Sequence, residues 1–140
     1  MNLEELKNYI RDNDNSTYLI VKKIDGIHVT VYKTRNVSVR DDSLWIFEKN
    51  YAECYIGYDK LNKMEGGFYS SYFDEGTVYE TFIYNIKDNE NLLFGIKEID
   101  VSINRLEEML NGLKHDRMFL YYEYLDREER KIDGGCVVNF

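Results

Sequence analysis

The stretch at residues 17–35, TYLIVKKIDGIHVTVYKTR, decides the fold class. Two runs rich in β-branched and aromatic residues, 17–24 and 27–35, meet at Asp25-Gly26. Asp and Gly both tolerate positive φ, so the pair reads as a type I′ turn closing a β-hairpin. A two-residue loop sets the register, with Ile24 facing Ile27, Lys22 facing Val29, Ile20 facing Val31 and Tyr18 facing Lys33. That face is mostly apolar and is expected to meet the core. The other carries Lys23 opposite His28, Val21 opposite Thr30 and Leu19 opposite Tyr32, and is expected to be partly open to water.

The neighbouring segments extend the pattern. Residues 2–12 read as a helix, with Asn2 as cap, Glu4 and Glu5 in the first turn, and Leu3, Leu6 and Ile10 at helical spacing. A second hairpin is expected from 44–48 and 51–58, turning at Lys49-Asn50. Its register pairs Trp45 with Cys54 and Phe47 with Ala52, and places Trp45 inside with Ile56. Residues 59–67 read as a loop ending in Gly66-Gly67. Residues 68–73 and 77–86 form a third pair around Asp74-Glu75-Gly76. The run 92–99 leans to strand because of its internal Gly95. Asp100 or Ser102 then caps a helix over about 101–114, in which Ile103, Leu106, Leu110 and Leu113 make one apolar stripe. Residues 117–125 and 130–140 read as a last antiparallel pair flanking Asp126-Arg127-Glu128-Glu129. The sum is one α+β domain over 1–140: an antiparallel sheet of about six to seven strands built from hairpins, with two helices packed on one face.

Composition narrows the function. The chain has 140 residues, 44% of them hydrophobic, which suffices for a packed core and excludes a disordered chain. No apolar run reaches the roughly 20 residues of a membrane helix. The acidic start, Met1-Asn2-Leu3-Glu4-Glu5, is unlike a signal peptide, and Cys54 and Cys136 are too few for a disulfide-stapled secreted scaffold. A cytoplasmic protein with two thiols is expected. There are 13 Tyr and no Pro. Tyr suits half-buried strands, and also interfaces, where its ring is apolar and its hydroxyl stays wet. The low-Pro, Asn- and Lys-rich usage is like that of a bacterial or phage protein.

Charge is uneven. Residues 1–70 hold 11 acids and 10 bases, whereas residues 71–140 hold 15 acids and 8 bases. The second half therefore carries nearly all of the net charge of −8. Such a surface repels nucleic acid, which needs basic groups, and steers a basic protein towards it. Two clusters combine Tyr with carboxylates: Asp74, Glu75, Tyr79 and Glu80 near one hairpin, and Glu123, Tyr124, Asp126, Glu128 and Glu129 near another. Rigid aromatic anchors in an acidic field suit a Lys/Arg-rich partner.

Catalytic and metal motifs fare poorly. His28-Val29-Thr30 has the His-x-Thr form of two-histidine phosphoesterases, but the second histidine, in His115-Asp116-Arg117, lacks the hydroxyl residue that this chemistry requires. The run 12–16, DNDNS, starts like a calcium loop but has Thr17 where the glycine belongs and Lys23 where the bidentate glutamate belongs. No Cys or His pair has zinc spacing. There is no phosphate loop, dinucleotide fingerprint or nucleophile elbow. No cofactor or metal is expected.

In size, acidity, lack of catalytic motifs and two-layer α+β pattern, the chain resembles the small immunity proteins of bacterial toxin systems. Those proteins bind and block a cognate toxin, often a basic nuclease. The resemblance implies a non-catalytic protein-binding module and transfers no individual residue. A phage inhibitor mimicking nucleic-acid charge would need the same acidity, and a small hydrolase or phosphoesterase would rest on His28 and Thr30.

Overall fold

The computed structural model of the chain describes residues 1–49 and 51–134. In order, the elements are α1 (Leu3–Asp12), β1 (Tyr18–Ile24), β2 (His28–Thr34), β3 (Asn36–Arg40), β4 (Ser43–Glu48), β5 (Tyr51–Gly57), a 3-10 turn (Tyr58–Lys60), β6 (Asn62–Met64), β7 (Gly67–Asp74), β8 (Thr77–Asn85) and α2 (Glu90–Gly134). The protein is α+β, with an antiparallel five-stranded sheet in the order β2-β1-β8-β7-β6 and a separate three-stranded sheet in the order β3-β4-β5. Contacts divide it into two compact units, Met1–Ile103 and Asn104–Phe140.

α1 forms where the sequence predicts it. The Asn2 side chain accepts from the Glu5 N–H at 2.8 Å and donates to the Glu5 carboxylate at 3.0 Å, satisfying a donor that the first helical turn leaves free. Leu6 is fully buried and anchors the helix in a core with Tyr18, Ile20, Tyr32, Leu44, Ile46, Phe68 and Ile83. This core fills the space between one face of the large sheet and the inner face of the small one. The opposite face of the large sheet presents Leu19, Val21, Phe82 and Tyr84, with Leu92 and Phe94 of α2 packed against them. The helices thus cover opposite faces of the large sheet, not one. The reason lies in β1, which sits between two strands and is apolar at consecutive positions, so both its faces need cover.

Two registers differ from expectation by one residue, each through a bulge. Asp25 and Gly26 do adopt positive φ, 53° and 72°, and the Ile27 N–H donates to the Ile24 carbonyl at 3.2 Å. Ile27 is nevertheless an extra residue, and the strands pair as Ile24 with His28 and Ile20 with Tyr32. Tyr32 is therefore buried, while Val31 is 41% exposed. In the second hairpin Glu48 pairs with Tyr51, but an irregularity between Ile46 and Glu48 shifts the rest, so that Trp45 faces Tyr55 and Ile46 faces Cys54. A one-residue slip exchanges the faces of a strand. Leu44 and Ile46 accordingly fill the core, and Trp45 lies half-buried on the outer face. There it stacks on Tyr55 and Phe47, with ring centroids 5.1 and 6.0 Å away, beneath the Arg40 guanidinium. Trp45→Ala should accordingly cost about 1–2 kcal/mol, the worth of a partly exposed aromatic stack, not the 3–5 kcal/mol of an emptied core site. Urea unfolding reads the difference directly.

The other corrections concern length. Residues 36–40 and 62–64 form the short strands β3 and β6. Residues 92–99 are helix, not strand, and Ser102 is a buried mid-helix residue, not a cap. The Asp88 carboxylate instead accepts from the Glu90 N–H at 3.0 Å at the true start. The helix then runs unbroken for 45 residues, replacing the strand pair expected over 117–125 and 130–140 as far as residue 134. Residues 135–140, with Cys136 and Gly135, and the expected turn residue Asn50 lie outside the described residues.

Burial also sets the pH response. The Tyr18 and Tyr84 rings are 3% and 2% exposed, and loss of solvation holds both phenols well above their ordinary value of 10.0. For Tyr18 the neighbouring Tyr9 and Asp14 add to this, and for Tyr84 the Glu98 carboxylate does. Above pH ~10 the unfolded chain releases these protons while the folded chain keeps them, so stability falls as pH rises. The urea midpoint should hold through neutral pH and drop once pH passes about 10; a flat profile there would refute the assignment.

Candidate functional site

The β7–β8 hairpin outruns its cover. Its turn is type I′, with Glu75 at φ 48° and Gly76 at φ 80°, and Asp74 pairs directly with Thr77. Residues 71–76 are all exposed. Strand pairing puts Tyr72 opposite Tyr79 on one face and Phe73 opposite Val78 on the other. The Tyr72 and Tyr79 rings stack at 4.7 Å and 10°. Tyr72 is 61% exposed and Phe73 is 71% exposed. Ile24, opposite Tyr79 on the adjoining strand, is exposed as well. The hairpin is braced from β1: the Asp25 N–H donates to the Val78 carbonyl at 2.8 Å, and the Val78 N–H returns to the Asp25 carboxylate at 3.0 Å. A rigid strand pair thus carries an uncovered aromatic end with two carboxylates, Asp74 and Glu75, at its tip.

Below this end lie two adjoining clefts of about 400 and 420 Å³ between β5 and the large sheet. They share Lys22, Cys54, Tyr72 and Thr81. The Tyr72 phenol is raised above its ordinary value, chiefly by lost solvation, then by Tyr79, Asp74 and Cys54. His28 and Thr30 line the 400 Å³ cleft, two residues apart on one strand face. Both are exposed, and no described residue hydrogen-bonds the imidazole. His115 lies in the other unit. Among the described residues no group of three or more His, Cys, Asp or Glu could hold a metal ion. No described helix is long and apolar enough to cross a membrane.

The expected site residues divide. Asp74, Glu75 and Tyr79 meet at the hairpin end as read from sequence. Glu80 belongs to the reverse face, where the Tyr69 hydroxyl donates to it at 2.9 Å. Glu123, Tyr124, Asp126, Glu128 and Glu129 stand on α2 instead of a hairpin. Three of those acids are already matched along the helix: Glu123 with Arg127 at 3.0 Å, Asp126 with Arg130 at 2.8 Å and Glu128 with Lys131 at 3.3 Å. That segment is a mixed-charge face, not an acidic one. The sequence reading missed Tyr72 and Phe73. Their signal was available: apolar residues at consecutive positions beside a tight turn leave one ring with no interior to enter.

The small sheet bears a second aromatic surface, but Arg40 lies over both Trp45 and Phe47, 5.6 and 4.9 Å from their centroids. Among the described residues no cation covers Tyr72, Phe73 or Tyr79 in this way. Comparison of the chain with protein-family models, curated proteins and solved structures found no match.

Proposed function

We propose that the chain is a non-catalytic protein-binding module of the toxin-immunity kind, and that the β7–β8 end engages a Lys/Arg-rich toxin domain. The observation that carries this reading is the stacked Tyr72–Tyr79 pair on one face and the exposed Phe73 on the other, on a braced hairpin tipped by Asp74 and Glu75. Aromatic anchors supply contact area at little entropic cost, and flanking carboxylates select a basic surface. The net charge of −8 accelerates encounter with such a partner. The internal ion pairing of Glu123, Asp126 and Glu128 weighs against a nucleic-acid mimic, which needs unmatched carboxylates in register with phosphates.

The test begins with a partner captured from the native cell. Stopped-flow association should slow as salt rises. Asp74→Lys with Glu75→Lys should lower the on-rate, and Tyr72→Ser with Phe73→Ser should raise the off-rate by roughly 100-fold, the scale of a lost aromatic hot spot. Binding unchanged by all four substitutions overturns the reading. A second reading, a small hydrolase, is favoured by the cleft that joins His28 and Thr30 to Lys22 and Cys54. A working imidazole needs an orienting partner on its other nitrogen, and His28 has none among the described residues. His28→Ala should leave the biological activity intact; its loss in a folded variant would make the hydrolase the better reading.

A further inference from the structure

The second unit, Asn104–Phe140, holds the C-terminal part of α2, and nearly every described side chain there is exposed. Its apolar residues are ordered. Leu106, Leu110, Leu113, Leu120 and Tyr124 fall at alternating steps of three and four, broken only by Arg117, and are 43–66% exposed. In heptad terms the a positions of this unit are Leu110, Arg117 and Tyr124, and its d positions are Leu106, Leu113 and Leu120.

A strict seven-residue repeat drifts by ~20° per heptad around a straight α-helix. A flat partner would lose the seam within two or three heptads, whereas a second helix follows it by supercoiling. The seam also ends where it should. The next positions are Arg127 and Lys131, and both are tied to acids of their own helix, Glu123 and Glu128. Water gives such a helix little stability by itself, since most helical stability in proteins comes from burying an apolar face.

Charge indicates which helix. Residues 104–134 carry 6 Lys+Arg and 8 Asp+Glu, close to balance, and the seam's flanking positions hold both signs, with Glu107, Asp116 and Glu123 beside Lys114. No strong field repels an identical strand or selects a basic or acidic one. Every d position of the segment is Leu, and the one charged a residue, Arg117, between Leu110 and Tyr124, restricts register and strand number at a cost in stability. We propose that this part of α2 pairs with the same segment of a second copy of the chain in a two-stranded coiled coil centred on Leu106–Leu120.

Sedimentation equilibrium of the full chain tests it. The expected mass is twice the 16.8 kDa of one chain, with dissociation on dilution. Leu106→Lys with Leu113→Lys should weaken association roughly 100-fold or more, because two layers then bury charge in place of leucine. Phe119→Glu, at an exposed apolar residue outside the seam, should leave the mass doubled. Fluorescence of the single Trp45, in the small sheet, reports that the first unit stays folded in each variant. A single-chain mass for the wild type at every concentration, an assembly of three or four chains, a doubled mass in the two-lysine variant, or loss of pairing with Phe119→Glu would each overturn the proposal.

Discussion

Gly67→Ala is expected to destabilise the protein by more than about 3 kcal/mol, at the upper end of overpacking costs. Gly67 opens β7 between Met64 of β6 and Tyr84 of β8. A Cβ there would lie 1.7 Å from the Ile83 carbonyl oxygen and 2.8 Å from its carbon. These are backbone atoms, so no rotamer change relieves the overlap, and β7 must move away from β8. That motion would pull Phe68 from the fully buried Ile83, its direct strand partner. Gly76 offers the contrast. Nothing lies within 4 Å of its added Cβ, but its φ of 80° strains any other residue, so Gly76→Ala should cost only roughly 1–2 kcal/mol. Thermal unfolding separates the two, since a loss of about 3 kcal/mol lowers the midpoint of a chain this size by roughly 10 °C. A Gly67→Ala midpoint equal to that of Gly76→Ala would mean that β7 and β8 have room to spare.

Turn chemistry was the most legible layer of this fold. Asp25-Gly26 adopts the left-handed pair that its sequence predicts, the third turn falls at Glu75-Gly76 within the expected 74–76, and Asn2 caps α1 as read. Register was less legible. A bulge at Ile27 and another before Glu48 each add one residue that leaves no mark in composition, and each exchanges inside for outside. Trp45 and Tyr32 changed places with respect to the core for that reason alone. α2 was misread for a different one. Its 118–122 run, MFLYY, is apolar on every side, which erases helical periodicity and imitates a strand; Gly95 strengthened the error. In the structure Gly95 is instead a packing residue, its missing Cβ leaving room for Leu19, whose Cδ2 would stand 2.6 Å away. The candidate site followed the same division. Carboxylates beside a readable turn were placed on the right element, whereas those on the misread helix were assigned to a hairpin where the structure has α2.

Lys23 was invisible as a core residue, and it supports the second large prediction. Alternation places it with Leu19 and Val21 on the face of β1 covered by α2, where it is 3% exposed. Its ammonium donates to the Glu98 carboxylate at 3.1 Å and to the Glu98 main-chain carbonyl, and lies 5.4 Å from the Phe82 ring centroid. Glu98, one helical turn beyond Gly95, is itself 31% exposed and keeps contact with water. The two partners are therefore unequal. Glu98→Ala leaves a buried ammonium with a lone carbonyl and should cost about 3–5 kcal/mol. Lys23→Met keeps the straight chain, removes the charge and leaves Glu98 solvated, so it should be neutral or stabilising by roughly 1–4 kcal/mol. In the Lys23→Met background Glu98→Ala should then cost less than about 1 kcal/mol, a coupling that a double-mutant cycle in urea measures. The pair would serve to choose which turn of α2 lies over β1, because Glu98 meets that ammonium while Gly95, one turn earlier, sits against Leu19 and Tyr84 of the sheet. If Lys23→Met proved the more damaging of the two single substitutions, the ion pair would be a source of stability in its own right and not a device for registry.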